Sequence, residues 1–317
     1  MTVFLRGPAY VLGENEVPYT AIENLGELAR RFKLAPQPEL WGWGTVRVTG
    51  RDLADLAAET GRGTMDAAGL PPDAVEAVVL CSNRIPGPAE GHGEFVATVL
   101  TGIGLGEIPV YGISLNRCAN LLAGIDVAQA FVTSGRHRTV LVITADKVAE
   151  DADRMSQFAL FSDGAASCLV TAGAGGGPSR YFELLGCGTA LKTDELEWSN
   201  QISADLAREV NDGLLAGPGL KVGDVGALLH ANLFKPLVVM KERQAGFGMG
   251  QLFLDNIERL GHCFAADPLI NLVDRMALGH VTSGSYCELV TSVPGSRIGV
   301  LLRAPSFQGD QGESARP

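Results

Sequence analysis

The chain has 317 residues, 46% hydrophobic and 19% charged, which is ample for the core of one large α/β body or two units and rules out disorder over most of its length. Its 25 basic against 36 acidic residues leave a formal charge of −11, which argues against wrapping a nucleic acid backbone. The opening Met1-Thr-Val-Phe-Leu-Arg-Gly7 has no basic region ahead of a long apolar run, and the most apolar helix candidate, 119–134, is too short to span a membrane. Six cysteines, at 81, 118, 168, 187, 263 and 287, are scattered without a CxxC pair. That pattern reads as the reduced thiols of a cytoplasmic protein, not as a disulfide frame or a metal site.

Short runs rich in Val, Ile and Leu read as strands buried on both faces, and apolar residues at helical spacing lie between them. The first half is expected to run strand 3–6, helix 53–69, strand 77–81, helix 92–105, strand 110–115, helix 118–134, strand 139–145 and strand 166–172. Residues 13–50 carry Trp41 and Trp43 without clear periodicity and look like an insertion. After the Gly-rich turn at 173–177 the order repeats as strand 181–187, helix 203–215, strand 225–229, helix 235–245, strand 252–255, helix 264–278, strand 286–292 and strand 298–303. Each half is therefore βαβαβαββ, an internal duplication of an α/β unit with helix-covered sheets. The halves are placed at 1–175 and 176–306, and the polar tail 307–317 is expected to be loose.

Cys118 stands where a strand runs into a long apolar helix, and a helix N-terminus favours thiolate over thiol. A packed core cysteine is the plainer alternative, and it suffices for Cys168, Cys187 and Cys287, which lie within strands. His230 ends an apolar strand and His262 follows Gly261 just ahead of a helix, the edge where α/β sheets display ligands and catalysts. Each histidine alone is equally a satisfied structural residue. With Cys118 they form a set able to support nucleophilic acyl transfer. There is no GxSxG elbow, and neither Gly102–Gly106 nor Gly173–Gly177 has the strand–turn–helix setting of a phosphate loop. His92, His137 and His280 show no metal-ligand spacing; capping or packing accounts for Asp267 and Asn271, four apart on a predicted helix.

Four segments, in order, resemble the thiolase superfamily and specifically β-ketoacyl-acyl carrier protein synthase III. They are Asn116–Ala128 with Val140–Asp146, Phe161-Ser-Asp-Gly-Ala-Ala166, His230-Ala-Asn-Leu233 and Arg259-Leu-Gly-His-Cys-Phe-Ala-Ala266. The resemblance implies a thiolase fold, two duplicated halves forming a five-layered α-β-α-β-α body. It implies Cys118 as the acyl-accepting nucleophile and His230 as the first histidine. The family's asparagine falls on His262, and its three-glycine run is replaced by Ser292-Val-Pro-Gly-Ser296. Gly295 then matches the glycine whose amide joins that of Cys118 in the oxyanion hole. The resemblance also implies no tightly bound cofactor, with acyl groups arriving on coenzyme A or on the phosphopantetheine arm of an acyl carrier protein. Lys235, Lys241 and Arg243, on the helix after His230, would offer such a carrier a basic patch, unless they simply form a solvated helix face. A homodimer pairing its 110–115 strands is implied as well.

Two outcomes share acylation of Cys118. In the favoured one, His230 and His262 donate N–H bonds to a malonyl-type thioester and stabilise the enolate left by loss of CO₂, giving decarboxylative condensation. In the other, His230 acts as base on an alcohol or amine and the product is an ester or amide. A third reading is an inactive ketosynthase-like subunit that only shapes a partner's pocket.

Overall fold

The computed structural model describes residues 1–85, 87–174, 181–196 and 203–305. In chain order the elements are β1 (Phe4–Leu12), β2 (Asn15–Pro18), α1 (Leu25–Arg31), α2 (Pro38–Trp41), β3 (Thr45–Val48), α3 (Leu53–Ala68), β4 (Ala77–Cys81), α4 (His92–Ile103), β5 (Val110–Ile113), α5 (Asn120–Thr133), β6 (Thr139–Asp146) and β7 (Gly164–Thr171). They continue with β8 (Tyr181–Leu191), α6 (Ala204–Ala216), β9 (Val225–His230), α7 (Lys235–Gln244), α8 (Asp255–Leu260), α9 (Asp267–Ala277), β10 (Tyr286–Val293) and β11 (Ser296–Arg303).

The strands join in the order β5-β4-β6-β7-β1-β8-β11-β10-β9. Among the described residues, the pairing of Phe4–Arg6 with Tyr181–Glu183 joins the two halves of this order. Strand alternation explains the layers. On β4 and β6, Val79, Cys81, Val140 and Val142 face one way, into a core shared with α5 and α9. Their neighbours Val78, Leu80, Leu141 and Ile143 face the other way, into a second core under α3 and α4. The second half repeats the plan: Ala227, Leu229 and Leu289 meet the central helices, while Leu228, Val290 and Leu301 meet α6. Helices α5 and α9 are thus sandwiched between two sheet halves that are themselves covered outside, which is the five-layered thiolase fold.

The predicted strand at 252–255 is reduced to one bridge, Leu252 against Leu228, because a 3₁₀ turn ends at Gln251 and α8 begins at Asp255. The 13–50 insertion is ordered: β2 and β3 pair as an antiparallel ribbon. Its Trp41 and Trp43 rings pack 5.7 and 6.1 Å from Phe234, just ahead of α7. The 175/176 boundary and the tail 307–317 lie outside the described residues.

Candidate active site

Cys118 sits in a 3₁₀ turn, Arg117–Ala119, that leads directly into α5. The residue before it, Arg117, has φ +53°, a left-handed conformation that costs a non-glycine residue about 1–2 kcal/mol. Such strain persists where surroundings over-determine it. Here the Arg117 guanidinium donates to the carbonyls of Leu196 (3.3 Å) and Pro294 (3.4 Å). Pro294-Gly295 is the two-residue turn between β10 and β11. Gly295 has φ +67°, and its carbonyl accepts from Lys192 N. A Cβ there would stand 2.7 Å from the main chain of Lys192, Glu195 and Leu196, so glycine is required.

His262 reaches the same place from the second half. Gly261, at φ +66° and ψ −158°, turns the chain out of α8 in a region open essentially to glycine alone. The main chain of His262 then clips onto the Leu160–Ser162 segment, its N–H donating to Leu160 O at 2.7 Å and its carbonyl accepting from Ser162 N at 2.9 Å. The Phe161-Ser-Asp-Gly motif therefore helps hold the histidine in place. His262 is fully buried, with Nε2 3.2 Å from Cys118 Sγ and Nδ1 donating to Asp267. Burial opposes a charge on this ring. The Asp267 carboxylate and the Cys118 sulfur outweigh it and push the imidazole up to about 10. Asp267, the first residue of α9, also accepts from Cys263 N (2.7 Å) and Asn232 N (2.6 Å).

His230 is placed differently. Its Nδ1 donates to Ala231 O at 2.7 Å and its Nε2 accepts from Lys241 Nζ at 2.7 Å. Burial, then the Lys241 charge, hold this imidazole well below its ordinary value, so it is neutral. Lys241 is 4% exposed and also contacts Glu242, which forms a two-pronged ion pair with the buried Arg297 of β11 (2.7 and 3.1 Å). Burial pulls the Lys241 ammonium down to about 8, against the attraction of Glu242. The expected basic patch is correspondingly dispersed. Lys241 faces inward, Lys235 is tied to Glu258 at 2.9 Å, and only Arg243 of the three is exposed.

The structure thus brings Cys118 and His262 together, with Pro294, just ahead of Gly295, linked to the turn of Cys118 through Arg117, and engages both His230 nitrogens elsewhere. Asp267 was missed as a site residue. Its sequence signal was a carboxylate five residues after a histidine, across a turn that is not helical at its start. Burial pushes up the thiols of Cys81, Cys168, Cys187, Cys263 and Cys287. Among the described residues no group of three or more His, Cys, Asp or Glu is arranged to hold a metal ion, and no helix is long and apolar enough to cross a membrane.

A cysteine at the head of one central helix, facing a histidine and a carboxylate at the head of the other, defines a thiolase-fold protein with a thiol–imidazole pair at the seam of its halves. Comparison with known proteins agrees. The family profile described as 3-oxoacyl-[acyl-carrier-protein] synthase III matches residues 114–184. β-Ketoacyl-[acyl-carrier-protein] synthase III of Rickettsia canadensis is 29% identical over 133 residues, covering 39% of this chain and 40% of that protein. Synthase III 1 of Bacillus cereus is 23% identical over 252 residues, 75% of this chain and 79% of that one. Alignment with the first of these relatives spans only about two fifths of its length. Among solved structures, ChlB3, described as an acyltransferase, superposes with a TM-score of 0.82 at 16% identity over 96% of this chain and 98% of that one. The Aquifex aeolicus synthase III gives 0.77 at 18% identity, over 95% and 99%. At these identities the solved structures speak to the fold. Taken together, the chain resembles β-ketoacyl-acyl carrier protein synthase III in sequence over part of its length and shares the thiolase fold along nearly all of it.

Proposed function

We propose that this protein is an acyltransferase that takes an acyl group from a thioester onto Cys118 and passes it to an alcohol or amine. The observation that carries the proposal is the unbroken chain Asp267–His262–Cys118. Cys118 thiolate, paired with the His262 imidazolium, attacks the thioester carbonyl, with the amides of Cys118 and Gly295 receiving the oxyanion. An oxyanion donor of this kind is worth ~10²–10³ in rate. The carbonyl reforms, the donor's C–S bond breaks, and the departing thiolate takes the proton from His262 Nε2. The neutral imidazole then removes the proton of the incoming hydroxyl or amine as it attacks the acyl-cysteine. Cys118 leaves as thiolate and the starting pair is restored. Asp267 keeps the proton on Nδ1 throughout, the orienting role of the carboxylate in a nucleophile–histidine–acid triad.

Decarboxylative condensation asks both imidazoles to donate N–H bonds to one thioester carbonyl. The engagement of His230 with Ala231 and Lys241, and the charge held on His262, favour simple transfer over it. Coenzyme A or an acyl carrier protein remains the proposed donor. A cleft of about 630 Å³ lined in part by Lys192, Arg208, Leu237 and Met240 has Lys241 in its wall and suits an incoming phosphopantetheine arm. A homodimer is proposed on β5, the end strand of the sheet, followed by Leu115 at 92% exposure; a monomer by light scattering would end that part.

The test is intact mass after incubation with a panel of acyl-coenzyme A thioesters, followed by addition of alcohols or amines and, separately, malonyl thioester. Acylation lost in Cys118→Ala, turnover with an alcohol or amine, and no CO₂ are expected. His262→Gln is expected to lose far more than His230→Gln. Release of CO₂ from malonyl thioester coupled to a C–C-bonded product would replace simple transfer by condensation.

A further inference from the structure

The buried polar groups behind Asp267 form a bracket centred on one side chain. Asn232 follows His230 by two residues and is 2% exposed. Its main-chain N–H donates to Asp267 Oδ2 at 2.6 Å, and its side-chain amide reaches Asp267 Oδ1 at 3.3 Å. The same Nδ2 donates at 3.0 Å to the carbonyl of Gly261, the peptide group immediately before His262. Asn232 thus touches both ends of the His262–Asp267 pair without reaching the sulfur. Its own orientation is fixed from the far side: Asn271 Nδ2 donates to Asn232 Oδ1 at 3.0 Å and to His230 O at 2.8 Å. Asn256 Nδ2 in turn donates to Asn271 Oδ1 at 2.7 Å. Asp267 and Asn271, four apart on α9, share one helix face, so the carboxylate and the amide that locks Asn232 move as one body.

We infer that Asn232 is a positioning residue for the acyl transfer proposed above, holding Asp267 and the Gly261 peptide so that the His262 ring lies in line between carboxylate and thiol. The inference rests on that reading of the site. A merely structural Asn232 would satisfy buried backbone and nothing more. A positioning Asn232 sets the angle at which the ring meets sulfur, where small displacements carry large kinetic losses.

The test compares wild type with Asn232→Ala in the full-length protein, by acyl-transfer kinetics, thermal melting and ¹H–¹⁵N titration of the histidine rings. Expected are a fall in kcat of about 10-fold or more, as when an outer partner of a reacting group is removed, and a KM for acyl thioester within about twofold. The His262 imidazolium is expected to lose its proton at lower pH than in wild type. A variant with lowered melting temperature but kcat within about twofold and an unmoved His262 titration overturns the inference. Should the variant not fold, exchange of the Asn232 side-chain amide protons in wild type decides. Protected protons support the bracket, and exchange at the rate of a free amide overturns it. The histidine titration needs no substrate. If it moves while wild-type Cys118 accepts no acyl group, the positioning of His262 stands and the proposed function falls.

Discussion

Replacing Asp267 by Asn exchanges one oxygen for an NH₂ group at the point where four donors converge. Oδ2 receives His262 Nδ1 and Asn232 N, and Oδ1 receives Cys263 N and Asn232 Nδ2. Whichever way the new amide turns, an N–H meets a main-chain N–H and one buried donor goes unsatisfied, at about 1–3 kcal/mol. The kinetic effect is larger. The imidazole is raised from 6.5 to about 10 against the effect of burial, with Asp267 the leading cause of the rise. That displacement corresponds to at most about 5 kcal/mol. Without the carboxylate the ion pair with Cys118 loses its support and the ring is free to take the wrong tautomer. We expect acylation of Cys118 in Asp267→Asn to slow by about 10³–10⁴, the scale set by removing the orienting acid of a triad. The assay is quenched-flow acylation read by intact mass, with melting temperature as the check on folding. A folded Asp267→Asn protein acylating within about threefold of wild type would refute the role given to Asp267. The pH dependence has a definite sign. Because the folded-state His262 is raised, its contribution to stability is complete below about 6.5 and disappears as pH rises through about 10.

Glu288 on β10 is fully buried and, among the described residues, neither carboxylate oxygen has a hydrogen-bond partner; burial pushes it up to about 7 from 4.5. The folded protein holds this proton longer than the unfolded chain, so stability falls by about 3 kcal/mol as pH rises from about 4.5 through 7. Glu288→Gln should abolish that slope in urea unfolding series, and a wild-type-minus-variant difference independent of pH would contradict it. Gly295→Ala forces a Cβ onto main-chain atoms at 2.7 Å in a left-handed residue. It should cost about 2 kcal/mol or more in melts and slow acylation, and a silent substitution would separate this turn from the oxyanion.

Layers, strand faces and the duplicated order were legible because a strand buried on both sides, such as β4 or β6, leaves an uninterrupted apolar run and little else does. Cys118 and His262 were legible from their places at the start of helices. Asp267 was not, since an acid at the start of a helix is what capping alone would select. Nor was the inward turn of Lys241. In the charged run Lys241-Glu-Arg243 a lysine reads as solvated, and the Arg297 guanidinium that shares its Glu242 lies 55 residues beyond that glutamate. The strand expected at 252–255 failed on length: three residues between a 3₁₀ turn and a helix leave room for one bridge.

The carboxylate at the head of α9 has three amide donors that do not depend on the imidazole, two from Asn232 and one from Cys263. The imidazole has no comparable independence, for its charge at zero exposure relies on that carboxylate and the sulfur. The two groups are therefore unequal in what they tolerate: the carboxylate could lose the ring and keep its amide partners, whereas the ring without the carboxylate would be a polar group stranded in the interior.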